Sequence, residues 1–319
     1  MAWRTSDGQK RTACDISSSK KFTVIVLPDT QYYAERWPDI FQSQTRWIVQ
    51  NKDTLNIQCV VHVGDIVDSY DDHQQWRAAN KALQILDDQV PYILAQGNHD
   101  IYNNAAHRLS LQLNQYFPVK QFLEKKYWGG SMLPDQIDNY YIRFSAGGLN
   151  WLVIALEVFP SDKSLEWAEN IIKIHPEHRI MLVTHCYLDL TNKRVERKDR
   201  YGPEDYGLCA DRTTTTNSGQ QMWEKLVKKY ANISFVFCGH LSEPKDDTGR
   251  LASIGNHGNI VYQFLFDFQE RQCGGNGYLA ILEFNPEEKT LLIKCYSPYL
   301  NQYFTDLEHQ FCYSLDLFK

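Results

Sequence analysis

The stretch Cys59-Val60-Val61-His62-Val63-Gly64-Asp65-Ile66-Val67-Asp68 determines how the rest of the sequence is interpreted. Its first half is a run of β-branched apolar residues, which predicts a strand buried on both faces, with His62 in the core. The run ends at Gly64, and the carboxylate of Asp65 follows at once. In open α/β sheets, functional sites lie at the carboxyl ends of strands, so Asp65 stands where a site is expected.

Apolar runs and amphipathic segments alternate around this stretch without a linker-like interruption. The predicted elements are strands at 22–27, 90–95, 180–184 and 233–238, helices at 40–52, 74–88, 165–174 and 219–230, and hairpins at 140–156 and 278–296. An aromatic-rich loop is predicted to follow the first strand. This alternation favours a single α/β domain over residues 21–319, preceded by a polar tail over residues 1–20.

The composition excludes several classes of partner. The chain has 319 residues, 43% hydrophobic and 23% charged, with a formal net charge of -6, as in ordinary globular proteins. The acidic balance argues against nucleic-acid and membrane partners, and no apolar run is long enough to span a bilayer.

Of the eight cysteines, several fall inside strand-like runs, and no C-x-x-C occurs. We therefore expect a cytoplasmic protein; the alternative is a secreted form whose leader has been removed.

Several predicted strands end in residue types that bind metals. The residues concerned are Asp29, Gln31, Asp65, Asn98, His185 and His240. Oxygen and imidazole ligands without a thiolate suit manganese, iron or zinc. One carboxylate such as Asp65 can bridge two ions about 3.5–4 Å apart, the spacing used for in-line displacement at phosphorus. Such a centre would lower the pKa of bound water towards neutrality and so supply a hydroxide nucleophile.

His99 and Asp68 suggest a separate catalytic pair. His99 follows Asn98 directly, so it lies near the predicted metals without having to bind them. A protonated imidazole there can donate to the oxygen of a leaving group, and Asp68 can orient that imidazole. Asp100 is expected to cap or pack beside this segment. The remaining histidines expected at the solvated surface are His73, His107, His175, His178 and His309.

The order of these residues resembles a known superfamily. Asp29-Thr30-Gln31, Gly64-Asp65-Ile66-Val67-Asp68, Gly97-Asn98-His99-Asp100, Thr184-His185 and Gly239-His240 are similar to the motifs of the calcineurin-like metallophosphoesterases. The segments 255–259, 274–277 and 296–298 resemble a bacterial-type subgroup whose first motif is Asp-Thr-Gln.

The resemblance implies an α/β fold, a four-layer α-β-β-α sandwich of two mixed sheets. It also implies that Asp29 and Gln31 hold a first metal, that Asp65 bridges, and that Asn98, His185 and His240 hold a second. His99 and Asp68 would form the acid dyad.

The sequence departs from the superfamily pattern at two positions. Gln31 stands where the first motif usually has a histidine, and Ser242 stands where the last motif has its second histidine. Both missing imidazoles would serve the first metal. That metal is then expected to bind more weakly, or to be completed by Gln31, by water or by another side chain such as His257. A glutamine oxygen favours a harder ion than an imidazole does.

Three functions remain open at this stage. The first is hydrolysis of a small phosphorylated substrate, mono- or diester, at a dinuclear centre of manganese, iron or zinc. The second is a metal-binding scaffold with weakened catalysis, and the third is a nuclease of the same superfamily. The intact pair of His99 and Asp68 favours the hydrolase, and the acidic balance disfavours the nuclease. Six aromatic residues either line a substrate groove or belong to the core: Tyr32, Tyr33, Trp37, Tyr102, Trp128 and Tyr187.

Overall fold

The computed structural model describes residues 21–108, 110–210 and 214–318. The predicted tail at 1–20 lies outside these residues, so the division into a tail and one domain stays a prediction. The strands are β1 (Phe22–Leu27), β2 (Ile57–His62), β3 (Tyr92–Leu94), β4 (Trp128–Ser131), β5 (Tyr140–Ala146), β6 (Leu149–Ala155), β7 (His178–Val183), β8 (Ile233–Cys238), β9 (Thr248–Ile254), β10 (Ile260–Phe266), β11 (Leu279–Asn285), β12 (Thr290–Ser297), β13 (Gln302–Tyr303) and β14 (Gln310–Ser314).

The helices lie between these strands and after the loops that leave them. They are α1 (Gln31–Arg36), α2 (Pro38–Asn51), α3 (His73–Leu83), α4 (Tyr102–Ala105), α5 (Leu111–Tyr116), α6 (Asp162–Ile174), α7 (Gly207–Ala210), α8 (Gly219–Lys225) and α9 (Gln272–Gly275). Short polar side chains cap the N-termini of several of these helices. Asp72 accepts hydrogen bonds from the first backbone N–H groups of α3, and Ser218 with Gln221 forms a capping box on α8.

Two mixed sheets form the centre of the fold. The first has the order β13-β12-β11-β1-β2-β3, with β14 also paired to β12, and the second has the order β4-β5-β6-β7-β8-β10-β9. Strands β1, β2 and β3 are parallel neighbours in the first sheet. In the second sheet, β7 and β10 lie parallel on either side of β8. Each sheet therefore directs the carboxyl ends of three adjacent strands towards one edge.

The sheets pack face to face, with helices on both outer faces. Aromatic rings fill the space between the sheets, as where Phe22 of β1 lies 5.8 Å from Trp151 of β6 and Phe235 of β8 lies 5.5 Å from Phe284 of β11, measured between ring centroids. Apolar residues of α2 and α3 cover the first sheet, and those of α6 and α8 cover the second. The predicted sandwich of two mixed sheets is thus confirmed.

The elements differ from the sequence predictions at one helix and at several strands. The aromatic-rich segment after β1 is the helix α1 rather than a loop, because Tyr33 and Ala34 are buried on its inner side. Strands β4, β9, β10, β13 and β14 were not predicted. The residues of β9 are mostly half-buried or exposed at the edge of the sheet, so they lack a continuous apolar pattern. β10 is a buried apolar run like the other central strands, and its sequence did carry a usable signal.

His309 was expected at the surface, and that prediction is wrong, because only 5% of the residue is exposed. Its Nε2 lies 2.8 Å from Oδ1 of Asp247, and its Nδ1 lies 2.6 Å from Oδ1 of Asp306. Arg271 donates to the other oxygen of Asp247, which is itself fully buried. Burial lowers the pKa of His309, but the two carboxylates outweigh it and raise the pKa above its ordinary value.

We expect Asp247→Ala to lower the free energy of unfolding by about 3 kcal/mol, because it leaves Arg271 and His309 without their buried partner. Asp306→Ala should cost less than about 1 kcal/mol, since the side chain of Asp306 is 52% exposed. Urea unfolding followed by circular dichroism measures both values. Equal, small losses in the two variants would contradict a stabilising role for Asp247.

The seven cysteines within the described part of the chain are free thiols. None of the described helices combines the length and the apolar character needed to cross a bilayer. The cytoplasmic location stays a prediction.

Candidate metal centre

Two glycines allow the backbone after β2 and β3 to come together. Gly64 has φ +105° and Asp65 has φ +48°, a left-handed conformation that aspartate tolerates better than most residues. A Cβ on Gly97 would lie 2.0 Å from Oδ1 of Asp65, so no larger residue fits there. The tight turn brings the carboxylate of Asp65 against the Gly97-Asn98-His99 segment, where the backbone N–H of His99 donates to Oδ1 at 2.9 Å.

Hydrogen bonds fix which atoms of His185 and Asn98 face this carboxylate. The Nδ1–H of His185 donates to the carbonyl of Val63 at 3.1 Å, which leaves the lone pair on Nε2. That Nε2 lies 2.9 Å from Oδ1 of Asn98 and 3.1 Å from Oδ2 of Asp65. The amide of Asn98 donates to Oδ1 of Asn104 at 2.6 Å, so its own oxygen points to His185.

His240 completes this group from the end of β8. Its Nε2 donates to the carbonyl of Tyr201 at 3.0 Å, and its Nδ1 lies 3.1 Å from Nε2 of His185. Burial and the neighbouring His185 lower the pKa of His240 to about 3, so its imidazole is neutral at physiological pH. Neutral imidazole is the form that binds a metal ion.

The four converging atoms fit a bound cation. When His185 is neutral, as a metal ligand must be, Asp65 Oδ2, Asn98 Oδ1, His185 Nε2 and His240 Nδ1 all present lone pairs to one another. The Asp65, His185 and His240 ligand atoms lie within 4.8 Å of one another, and all three residues are buried. Lone pairs this close repel each other unless a positive charge lies among them, either a metal ion or a proton on His185, where burial lowers the pKa but the charge of Asp65 outweighs it and raises the pKa. Burial raises the pKa of Asp65, but His185 and His99 outweigh it and hold the pKa well below its ordinary value, which keeps the carboxylate charged.

Oxygen atoms form a second group beside the first. Oδ2 of Asp29 accepts the backbone N–H of His240 at 3.0 Å, whereas its Oδ1 has no partner within the described chain. The amide of Gln31 donates to Oδ1 of Asp68 at 3.4 Å, and its Oε1 is likewise buried and unpaired there. Asp267, directly after β10, is fully buried, and after burial its charge is the strongest influence that raises the pKa of Asp29.

This crowding of carboxyl groups also fits a cation. Burial raises the pKa of Asp267 to about 7, and burial together with Asp267 and Asp65 raises that of Asp29 well above its ordinary value. Carboxylates in one low-dielectric site stay ionised together only when a positive charge lies among them.

His99 and Asp68 lie beside the Asp65 carboxylate. The Nδ1–H of His99 donates to the backbone carbonyl of Asp68 at 2.6 Å, and the Asp68 carboxylate is more distant at 3.7 Å. The side chain of His99 is 27% exposed, so it is accessible to a substrate. Burial lowers the pKa of His99, but the charge of Asp65 and the Asp68 carbonyl outweigh it and raise the pKa.

The structure therefore brings together Asp29, Gln31, Asp65, Asp68, Asn98, His99, His185 and His240. It does not bring His257 to them. His257 lies between β9 and β10, at the opposite end of β10 from Asp267, and its Nε2 contacts the carbonyl of Lys229 at 2.9 Å. Seven strand residues span roughly 20 Å, so an additional metal contact from His257 is excluded in this arrangement.

The other predicted neighbours divide between core and surface. Tyr33 and Tyr187 are fully buried in the core, whereas Tyr102 is 45% exposed. Asp100 packs beneath the centre, where it accepts the backbone N–H groups of Ile66, Val67 and Gly97. A cavity of about 760 Å³ lies at the opposite end of the sandwich, beside the turns that precede β7 and β8.

Sequence reasoning missed three residues of this region: Asp267, Asn104 and Tyr201. Asp267 was detectable as one more carboxylate after a buried apolar run. Asn104 and Tyr201 act through loop conformations, with φ +50° and +63°, that no sequence pattern specifies.

Comparisons with known proteins agree with this geometry. The chain is 31% identical over 306 residues to the uncharacterized protein YvnB of Bacillus subtilis (strain 168), a match covering 93% of this chain and 22% of that protein. The chain thus spans about a fifth of the length of this relative. Its fold is similar to that of purple acid phosphatase PPD1 from yellow lupin (Lupinus luteus) seeds, with a TM-score of 0.58 and 13% identity over 94% of this chain and 55% of that one. A model of the family described as calcineurin-like phosphoesterase matches residues 22–244, and the chain belongs to that family.

Proposed function

We propose that this protein is a metal-dependent phosphoesterase that hydrolyses a small phosphorylated substrate at a dinuclear centre. The observation that carries the proposal is the convergence of lone-pair atoms from the carboxyl ends of both sheets, with His99 directly beside them. When bound, the two ions would lower the pKa of a water molecule and neutralise charge that develops on the phosphoryl oxygens.

The residues of this centre would form two metal sites that share one carboxylate. Asp65 contacts His185 and its charge acts on Asp29, so it would belong to both groups of donors. Asn98, His185 and His240 would hold one ion, and Asp29 and Gln31 would hold the other. The membership of this chain in the calcineurin-like phosphoesterase family and this set of donor atoms support manganese, iron or zinc as the metals.

His99 would supply the proton that the leaving-group oxygen requires. Its Nδ1–H is engaged by the Asp68 carbonyl at 2.6 Å, so Nε2 is the nitrogen available to a substrate. A protonated imidazole held in this orientation is the form that a general acid needs. A scaffold without catalysis has no need for an imidazole oriented in this way, and the formal net charge of -6 argues against a nucleic-acid substrate.

Metal analysis of the purified full chain, paired with hydrolysis of an aryl phosphate and an aryl phosphodiester, tests the proposal. We expect about two ions per chain after incubation with manganese, and turnover that a chelator abolishes and manganese restores. The ratio of the two rates identifies the ester class. Metal binding without turnover of either ester would overturn the hydrolase and favour the scaffold.

A further inference from the structure

We propose that Asp267 is a ligand of the first metal and takes the place of the second histidine that the family motif has at Ser242. The inference rests on the proposed function, since it names a residue of the same centre. It makes the first site an all-oxygen site built from Asp29, Gln31, Asp65 and Asp267.

Topology places Asp267 at the site. It directly follows β10, which lies parallel to β8, so its position relative to β10 matches that of Gly239 and His240 relative to β8. The carboxyl ends of adjacent parallel strands meet at one edge of a sheet. Asp267 is 0% exposed, and both it and His240, whose backbone N–H donates to Asp29 at 3.0 Å, stand two residues beyond the paired Leu265 and Cys238.

The hydrogen bonds of Asp267 leave one carboxylate oxygen available. Its Oδ1 accepts the backbone N–H of Gln269 at 3.0 Å, whereas Oδ2 is buried with no partner in the described part of the chain. Ser242 cannot take the missing histidine's role from its present position, because its hydroxyl donates to the Asp267 carbonyl at 2.8 Å. This hydrogen bond places Ser242, which stands at the position of the missing histidine, next to Asp267, the residue that would replace that ligand.

Two other buried aspartates show what a purely structural carboxylate looks like in this fold. Both oxygens of Asp100 accept backbone N–H groups, and both oxygens of Asp247 are paired with Arg271 and His309. Asp267 differs from them because one oxygen is unpaired. Asp29 shows the same pattern, with one oxygen held by the backbone and one unpaired. An unpaired buried carboxylate oxygen is costly unless a cation binds it.

The donor types set the metal preference. Carboxylate and amide oxygens without an imidazole suit a hard ion such as manganese or magnesium, whereas the second site keeps two imidazoles and suits zinc or iron as well. The two sites of this chain should therefore differ in the ion they prefer. Manganese at both sites serves as the probe, because its electron paramagnetic resonance spectrum distinguishes an isolated ion from a coupled pair.

The test compares wild type, Asp267→Asn and the control Glu270→Gln, which removes one charge from the same loop at an exposed position. Manganese is titrated into each full-length protein, with metal content and the resonance spectrum as readouts. We expect wild type and Glu270→Gln to show a coupled pair. Asp267→Asn should show an isolated ion, with first-site affinity reduced at least 10–100-fold, the loss typical even of residues that only support a ligand.

The possible outcomes separate this inference from the proposed function. A coupled pair of unchanged affinity in Asp267→Asn would overturn the role of Asp267 and leave the phosphoesterase proposal standing. Equal losses in Glu270→Gln would also overturn it, because they would assign the effect to charge alone. A pair that depends on Asp267 in a protein that cleaves no phosphate ester would support the ligand and overturn the hydrolase. Thermal unfolding of Asp267→Asn without metal checks that the variant is folded.

Discussion

Asp65→Asn should lose both metal ions and lower turnover of an aryl phosphate by at least about 10³-fold. The carboxylate has Oδ2 3.1 Å from His185 and Oδ1 held by the His99 N–H at 2.9 Å, and its charge also acts on Asp29. Removing its charge removes the anion on which both ions would depend. Loss of a single stabilising group in an active site already costs 10²–10³-fold, and this change affects two ions at once.

Asparagine is the appropriate replacement because the backbone of Asp65 has φ +48°. Asparagine tolerates this left-handed conformation as well as aspartate does, and its side-chain oxygen can still accept one hydrogen bond. The variant should therefore fold, which unfolding by urea verifies. Asp71→Asn makes the same change at an exposed position of the same loop and should keep both ions and wild-type turnover. Two bound ions and normal turnover in Asp65→Asn would end the dinuclear proposal.

The parts of the fold that the sequence predicted are those set by local apolar patterns. The runs before Asp29, Asp65 and His240 are continuous and buried, and each forms a central strand. The residue that ends such a run lies at the carboxyl edge of its sheet whatever the loop does next. That is why the strand-end residues came together in the structure although they are far apart in the chain.

The parts that could not be predicted depend on loops and on partners distant in sequence. His309 is indistinguishable from a surface histidine until Asp247 and Arg271 lie beside it. Asn104 contacts Asn98 only because three successive residues, 103 to 105, have positive φ values. Asp267 was overlooked for a different reason. The superfamily motif predicts a second histidine shortly after His240. The unpaired carboxylate instead follows β10, the neighbour of β8 in the sheet.

His99→Ala should keep both metal ions and lose about 10²–10⁴-fold in turnover of an ester with a poor leaving group. His99 donates to Asp65 through its backbone N–H, which alanine retains, so metal content should not change. What is lost is the proton donor for the leaving-group oxygen. Esters whose leaving groups are already acidic need little protonation, so for them the loss should be smallest.

The dependence on leaving group is what separates an acid from a structural residue. A plot of log kcat/KM against leaving-group pKa should be steeper for His99→Ala than for wild type, because only wild type protonates the basic leaving groups. Asp68→Asn keeps the carbonyl that holds Nδ1 at 2.6 Å, so it should lose less activity and keep the shallow slope. His257→Ala, exposed and distant, should match wild type throughout. Parallel plots for wild type and His99→Ala would show that another group delivers the proton.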